Sequence, residues 1–108
     1  MSEADRVTRG SGNVFADLGF ADAEERLLKS ELALRIERTV KRRRLTEAAA
    51  AGLLGIDQSD VARLLAGKLT GFSVEQLLHF LAALGHDIEI VVRARGRQPR
   101  GRLSVAAE

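Results

Sequence analysis

The 108-residue chain has no cysteine, tryptophan or tyrosine, one proline and two histidines. Without cysteine there is no disulfide, dithiol redox motif or thiolate metal site. His79 and His86 stand seven residues apart with no other soft ligand nearby, which argues against zinc and reads them as an exposed helix residue and a turn residue. No apolar run approaches the ~20 residues that cross a bilayer. Met1–Gly12 is polar and charged, unlike a signal peptide, so a soluble cytoplasmic protein with no membrane contact is expected. Also missing are a Ser/His/Asp order, a phosphate-cradling glycine loop and a carboxylate cluster, so neither an enzyme nor a cofactor is expected.

What the chain does contain is aliphatic and charged. Ala, Leu, Glu and Arg recur in a helix-favouring mixture, and four Phe supply all the aromatic content. The length suits one mainly α domain. The formal net charge of +2 hides segregation: residues 1–25 sum to −4, 26–68 to +5, 69–92 to −3 and 93–102 to +5. Two readings fit this alternation, localised anion-binding surfaces or charges that only solvate helix faces.

Residues 1–12 and 94–108 mix charge with Gly and show no period, and are expected as flexible tails, the second one basic. The folded part is expected over 13–93. Asn13–Phe20 holds a short apolar patch of ambiguous role. With Asp22 as N-cap, Leu28, Leu32, Ile36 and Val40 recur every four residues and predict a long amphipathic helix ending at the basic run Lys41–Arg44. Thr46 caps a short Ala-rich helix over 47–54, Gly55 ends it, and Asp57 caps a second helix over 58–66. Ser73 with Gln76 forms a capping box for a further helix, which stops at Gly85.

Asp87–Arg93 alternates instead, with Ile88, Ile90 and Val92 on one side, and predicts a β-strand. One strand cannot satisfy its own backbone groups, and no second strong strand is visible. The simplest partner is the same strand of a second copy, which predicts a homodimer; the N-terminal segment is the alternative within one chain.

Two short helices joined by a glycine turn are the helix-turn-helix plan. In residues 47–66 Ala51 is small where the helices cross, and Leu54, Ile56, Val61 and Leu64 face inward. Gln58, Ser59, Ala62 and Arg63 are left on the outer face of the second helix. Through LTEAAAAGLLGIDQSDVARLLAGK (45–68) the chain resembles the lambda-repressor-like, XRE-type helix-turn-helix domains. With NVFADLGFADAEERL (13–27), GFSVEQLLHFLAALG (71–85) and DIEIVVR (87–93) in order, it resembles the HigA-type antitoxin subgroup.

That resemblance implies a four- to five-helix lambda-repressor-like domain with a C-terminal strand paired across a dimer. It implies a transcriptional repressor whose second helix enters the major groove of a palindromic double-stranded operator, the two copies about 34–36 Å apart. Gln58, Ser59, Ala62 and Arg63 then face base edges: the Gln58 amide suits adenine, and Arg63 suits guanine or a phosphate. Thr46, Arg43, Arg44 and Lys68 are expected on the DNA backbone. The arginines of 93–102 read either as a further phosphate arm or as a solubilising tail.

The subgroup further implies a RelE-like toxin as partner, facing residues 13–25 and the first helix, and autoregulation of a toxin–antitoxin operon. The alternatives are a stand-alone regulator and a toxin-neutralising module with weak DNA binding. Two positions depart from the family pattern. Glu47 replaces the usual Gln, and Asp60 sets an acidic group on the recognition face, where pairing with Arg63 or accepting from cytosine can offset it.

Overall fold

The structure is a computed structural model that describes residues 20–94, 96–97 and 101–106, with helical side chains described from Ala23 onward. The expected tail over 1–12, the apolar patch over 13–19 and part of the basic tail lie outside the described residues. Four helices follow one another: α1 (Phe20–Arg42), α2 (Glu47–Leu54), α3 (Gln58–Leu65) and α4 (Val74–Ala83). The long amphipathic helix thus starts at Phe20, earlier than its expected Asp22 cap.

The four-residue spacing on α1 has the consequence that periodicity demands. Leu32, Ile36 and Val40 are buried, Leu28 packs beside them, and Ala33 completes the stripe. These side chains meet Val61 and Leu64 of α3 and Leu77, Phe80 and Leu81 of α4, while Ala50 and Ala51 of α2 close the interior. α1 packs on α4 and α3, and α2 packs on α3 and α4. Each fully buried Leu, Ile or Val contributes about 1.5–3 kcal/mol relative to exposure, and this small interior depends on them. Phe72, in the loop before α4, meets the Phe80 ring edge-on with centroids 6.0 Å apart.

One buried polar side chain joins the first and last elements. The Thr39 hydroxyl donates to the Arg35 carbonyl at 2.9 Å and lies 2.7 Å from His86 Nε2. Because its single proton goes to Arg35, the hydroxyl accepts from His86, which fixes the imidazole with its proton on Nε2. His86 is therefore a turn residue with a partner in α1, and His79 is exposed on α4 beside Glu75.

The strand over 87–93 was expected to pair with a second copy, and in the single chain it is not formed. No strand forms among the described residues, and Ile88, Ile90 and Val92 lie exposed, Val92 at 91%. Alternation decides which side chains share a face, but a ladder needs a neighbouring backbone, and the described residues of the single chain offer none there. Farther on, Val105 packs against the interior cluster and Arg35 Nη2 donates to the Ala106 carbonyl at 3.0 Å, so residues 105–106 rest on α1.

Candidate nucleic-acid interface

The candidate interface is built from the ends of the helices. Three of them close with the same pair of backbone bonds, a six-to-one and a five-to-two contact around one left-handed residue. After α3 these are Lys68 N–H to the Arg63 carbonyl and Gly67 N–H to that of Leu64; after α4, His86 to Leu81 and Gly85 to Ala82. After α1 the same bonds run from Leu45 to Val40 and from Arg44 to Lys41. Gly67 and Gly85 take the left-handed position in two of these turns, but in the first Arg44 takes it, at φ 55°. A side chain there costs about 1 kcal/mol that glycine avoids. The tight reversal delivers the chain to Thr46 within two residues.

Thr46 is the N-cap of α2, and its oxygen accepts from the Ala49 amide at 3.0 Å. That bond leaves the hydroxyl proton free to donate outward, beside the partial positive charge of the helix start. Gly55 ends α2 at φ 73°, a conformation that costs a β-carbon dearly. Its amide and that of Ile56 both return to the Ala51 carbonyl. Ile56 packs against the interior, so the corner is pinned from inside.

α3 is the most strongly two-sided element. Val61 and Leu64 are buried, whereas Gln58 and Ser59 at its start are exposed and Ala62 is half-buried. No intramolecular hydrogen bond engages the side chain of either Gln58 or Ser59 among the described residues. Asp57 caps the helix by position without a side-chain bond, and Asp60 lies in the first turn, where a carboxylate suits the dipole.

The expected cations divide into two kinds. Arg44 and Lys68 are exposed and carry no side-chain hydrogen bond or ion pair among the described residues. Arg43 is tied down, with Nη1 donating to the Leu84 carbonyl at the end of α4 at 3.0 Å. Arg63 is tied as well: Nη1 donates to Asp60 Oδ1 at 3.0 Å, Nη2 donates to the Thr70 carbonyl, and Cζ stands 5.1 Å from the Phe72 ring centroid. The i, i+3 pairing of Asp60 with Arg63 was readable from spacing; the parts played by Thr70 and Phe72 were not. A lone Phe in a Gly-containing loop was the signal available, since a loop Phe needs a surface to cover.

Gln58, Ser59, Ala62, Thr46, Arg44 and Lys68 thus belong to one compact unit made by α2, α3 and the segments that flank them. Ile88, Ile90 and Val92 lie beyond it, after α4. Among the described residues no group of three or more His, Cys, Asp and Glu is placed to hold a metal ion, and no helix is long and apolar enough to cross a membrane.

Two short helices turned at Gly55, each with a buried inner face and the second with a polar outer start, define a helix-turn-helix unit. The helix-turn-helix domain family matches residues 14–93. A solved structure described as a candidate XRE family transcriptional regulator is 48% identical, with a TM-score of 0.75 over 81% of this chain and 99% of that one. The comparison with curated proteins found no match. The chain belongs to the XRE-type helix-turn-helix family.

Proposed function

We propose that this protein is a non-catalytic, sequence-specific DNA-binding repressor that acts as a homodimer, with α3 in the major groove. The observation that carries the reading is the division of α3. Its inner face is locked by Val61 and Leu64, while Gln58 and Ser59 stand exposed at the end of the helix that reaches base edges in this docking mode. The recognition face is Gln58, Ser59, Ala62 and Arg63. Thr46, Arg44 and Lys68 meet phosphates around it, and Arg43 adds its charge from the foot of α4.

Residues 87–93 supply the dimer contact. Four exposed apolar side chains, Ile88, Ile90, Val91 and Val92, occur on a segment whose backbone forms no ladder among the described residues, and an antiparallel match to a second copy covers both at once. A two-fold dimer reads a palindromic operator.

The finer reading is an antitoxin that represses its own operon and holds a RelE-like toxin. Exposed Leu27 and Leu34 on α1 support a protein partner for that helix, with Glu31 between them. A stand-alone regulator shares every feature but the partner. Co-expression with the product of the neighbouring gene separates the two: a co-purifying small basic protein supports the antitoxin, and its failure to bind leaves the stand-alone regulator.

The test of DNA binding is fluorescence anisotropy on duplex from upstream of the gene. The expected logarithmic salt slope is about −0.9 for each phosphate neutralised. Gln58→Ala with Ser59→Ala is expected to cost about 1–3 kcal/mol on the preferred sequence with helicity unchanged. Unaltered affinity and base preference in that variant overturn the placement of α3.

A further inference from the structure

Arg63 occupies the recognition helix, yet its side chain is turned to the protein's own loop. One edge of the guanidinium meets Asp60, 3.0 Å away on the same helix, and Nη2 meets the Thr70 carbonyl. Its carbon lies 5.1 Å from the centre of the Phe72 ring. Phe72 is itself buried and meets Phe80 of α4 edge-on. A continuous line of contacts therefore runs from Asp60 through Arg63 and Phe72 to α4. The loop it crosses carries Lys68 and turns at Gly71, with φ at 93°.

We propose that Arg63 is a positioning residue that clamps the loop over 66–72 to α3, and that it reads no base. The inference rests on the DNA-binding reading above and divides the labour of that same face. Two-point recognition of guanine takes a guanidinium aimed into the groove. To reach it, Arg63 has to leave a charge-assisted bond, a carbonyl and an aromatic face, and it strips Asp60 of its counter-charge where phosphate approaches. Held in place, the same group neutralises Asp60 and sets Lys68 at a constant distance from the start of α3. Base reading then falls to Gln58, Ser59 and Ala62. Lysine is a poor substitute, because a point charge can bond Asp60 or Thr70 but has no plane to lie on Phe72.

Two measurements on the full chain decide this. In the first, wild type, Arg63→Ala, Arg63→Lys and Gln58→Ala select from a randomised duplex library, and base preference is read position by position. Arg63→Ala is expected to weaken binding roughly tenfold for all duplexes alike, with the preference profile unchanged and Arg63→Lys in between. Gln58→Ala is expected to flatten one position. Loss of preference for a single G·C pair in the Arg63 variants overturns the proposal.

The second measurement needs no DNA. The Phe72 amide donates to the Leu69 carbonyl at 3.0 Å, and its hydrogen exchange reports loop order. In Arg63→Ala it is expected to exchange at least ~10-fold faster while the Val61 and Leu77 amides keep wild-type protection, which shows that the fold is intact. Unchanged exchange at Phe72 overturns the clamp. If wild type enriches no duplex, the DNA-binding reading fails, and the clamp stands or falls on this exchange alone.

Discussion

α3 and the segment over 87–93 are alike in composition and opposite in fate. Each is about half apolar: Val61, Ala62, Leu64 and Leu65 in one, Ile88, Ile90, Val91 and Val92 in the other. In α3 the helical period gathers Val61 and Leu64 on one side, where α1, α2 and α4 converge, and both are buried. In 87–93 the two-residue period gathers Ile88, Ile90 and Val92 equally well, but no element among the described residues lies opposite and all three stay exposed. Patterning prepares a face for burial, and only a neighbour completes it. The Thr39–His86 bond marks the frontier between the two regimes, since the chain leaves the packed helices just after it.

The sharpest way to break the contrast is to empty the covered region. Leu64→Ala removes a side chain at 2% exposure and is expected to cost about 2–5 kcal/mol in urea unfolding. A loss below about 1 kcal/mol shows that α3 is not anchored from within and removes the basis for its rigid presentation.

Next in size is the frontier itself. Thr39→Val keeps the shape but leaves the His86 Nε2–H without its acceptor, for an expected loss of about 1–2 kcal/mol. Adding His86→Leu to that variant is expected to recover part of the loss, because both polar groups are then gone. If the double variant is worse than the sum of the singles, the bond is not what joins α1 to the end of α4.

The smallest effect on folding is expected from Ile90→Lys with Val92→Lys. Unfolding at a protein concentration where wild type is monomeric should move by less than about 0.5 kcal/mol, since neither side chain is covered. Sedimentation at high concentration should nevertheless show the wild-type dimer lost. A double variant that still dimerises sends the interface elsewhere.

Much of the fold was legible because its signals are local. The stripe from Leu28 to Val40, the caps at Thr46 and Ser73 and the stops at Gly55 and Gly85 depend on residues within about one helical turn of each other, and each has the expected structural consequence. The polar start of α3 was legible for the same reason. Less visible were contacts between residues far apart in sequence: Arg43 to Leu84, Thr39 to His86, Arg63 to Phe72 and Val105 to α1. Arg63 shows the difference well. Helical spacing correctly put it on the outer side of α3 and next to Asp60, but spacing carries no information about a loop that returns seven residues later.

By itself, then, the sequence determined where the three shorter helices begin, which helix faces are apolar, and that a turn at Gly55 sets two short helices against each other. Capping, periodicity and left-handed glycine act over a few residues, and chain order alone specifies them. The tertiary structure decided which cations are free and which are tied to carbonyls, and which of two equally apolar segments is covered, because those outcomes depend on what the folded chain brings alongside.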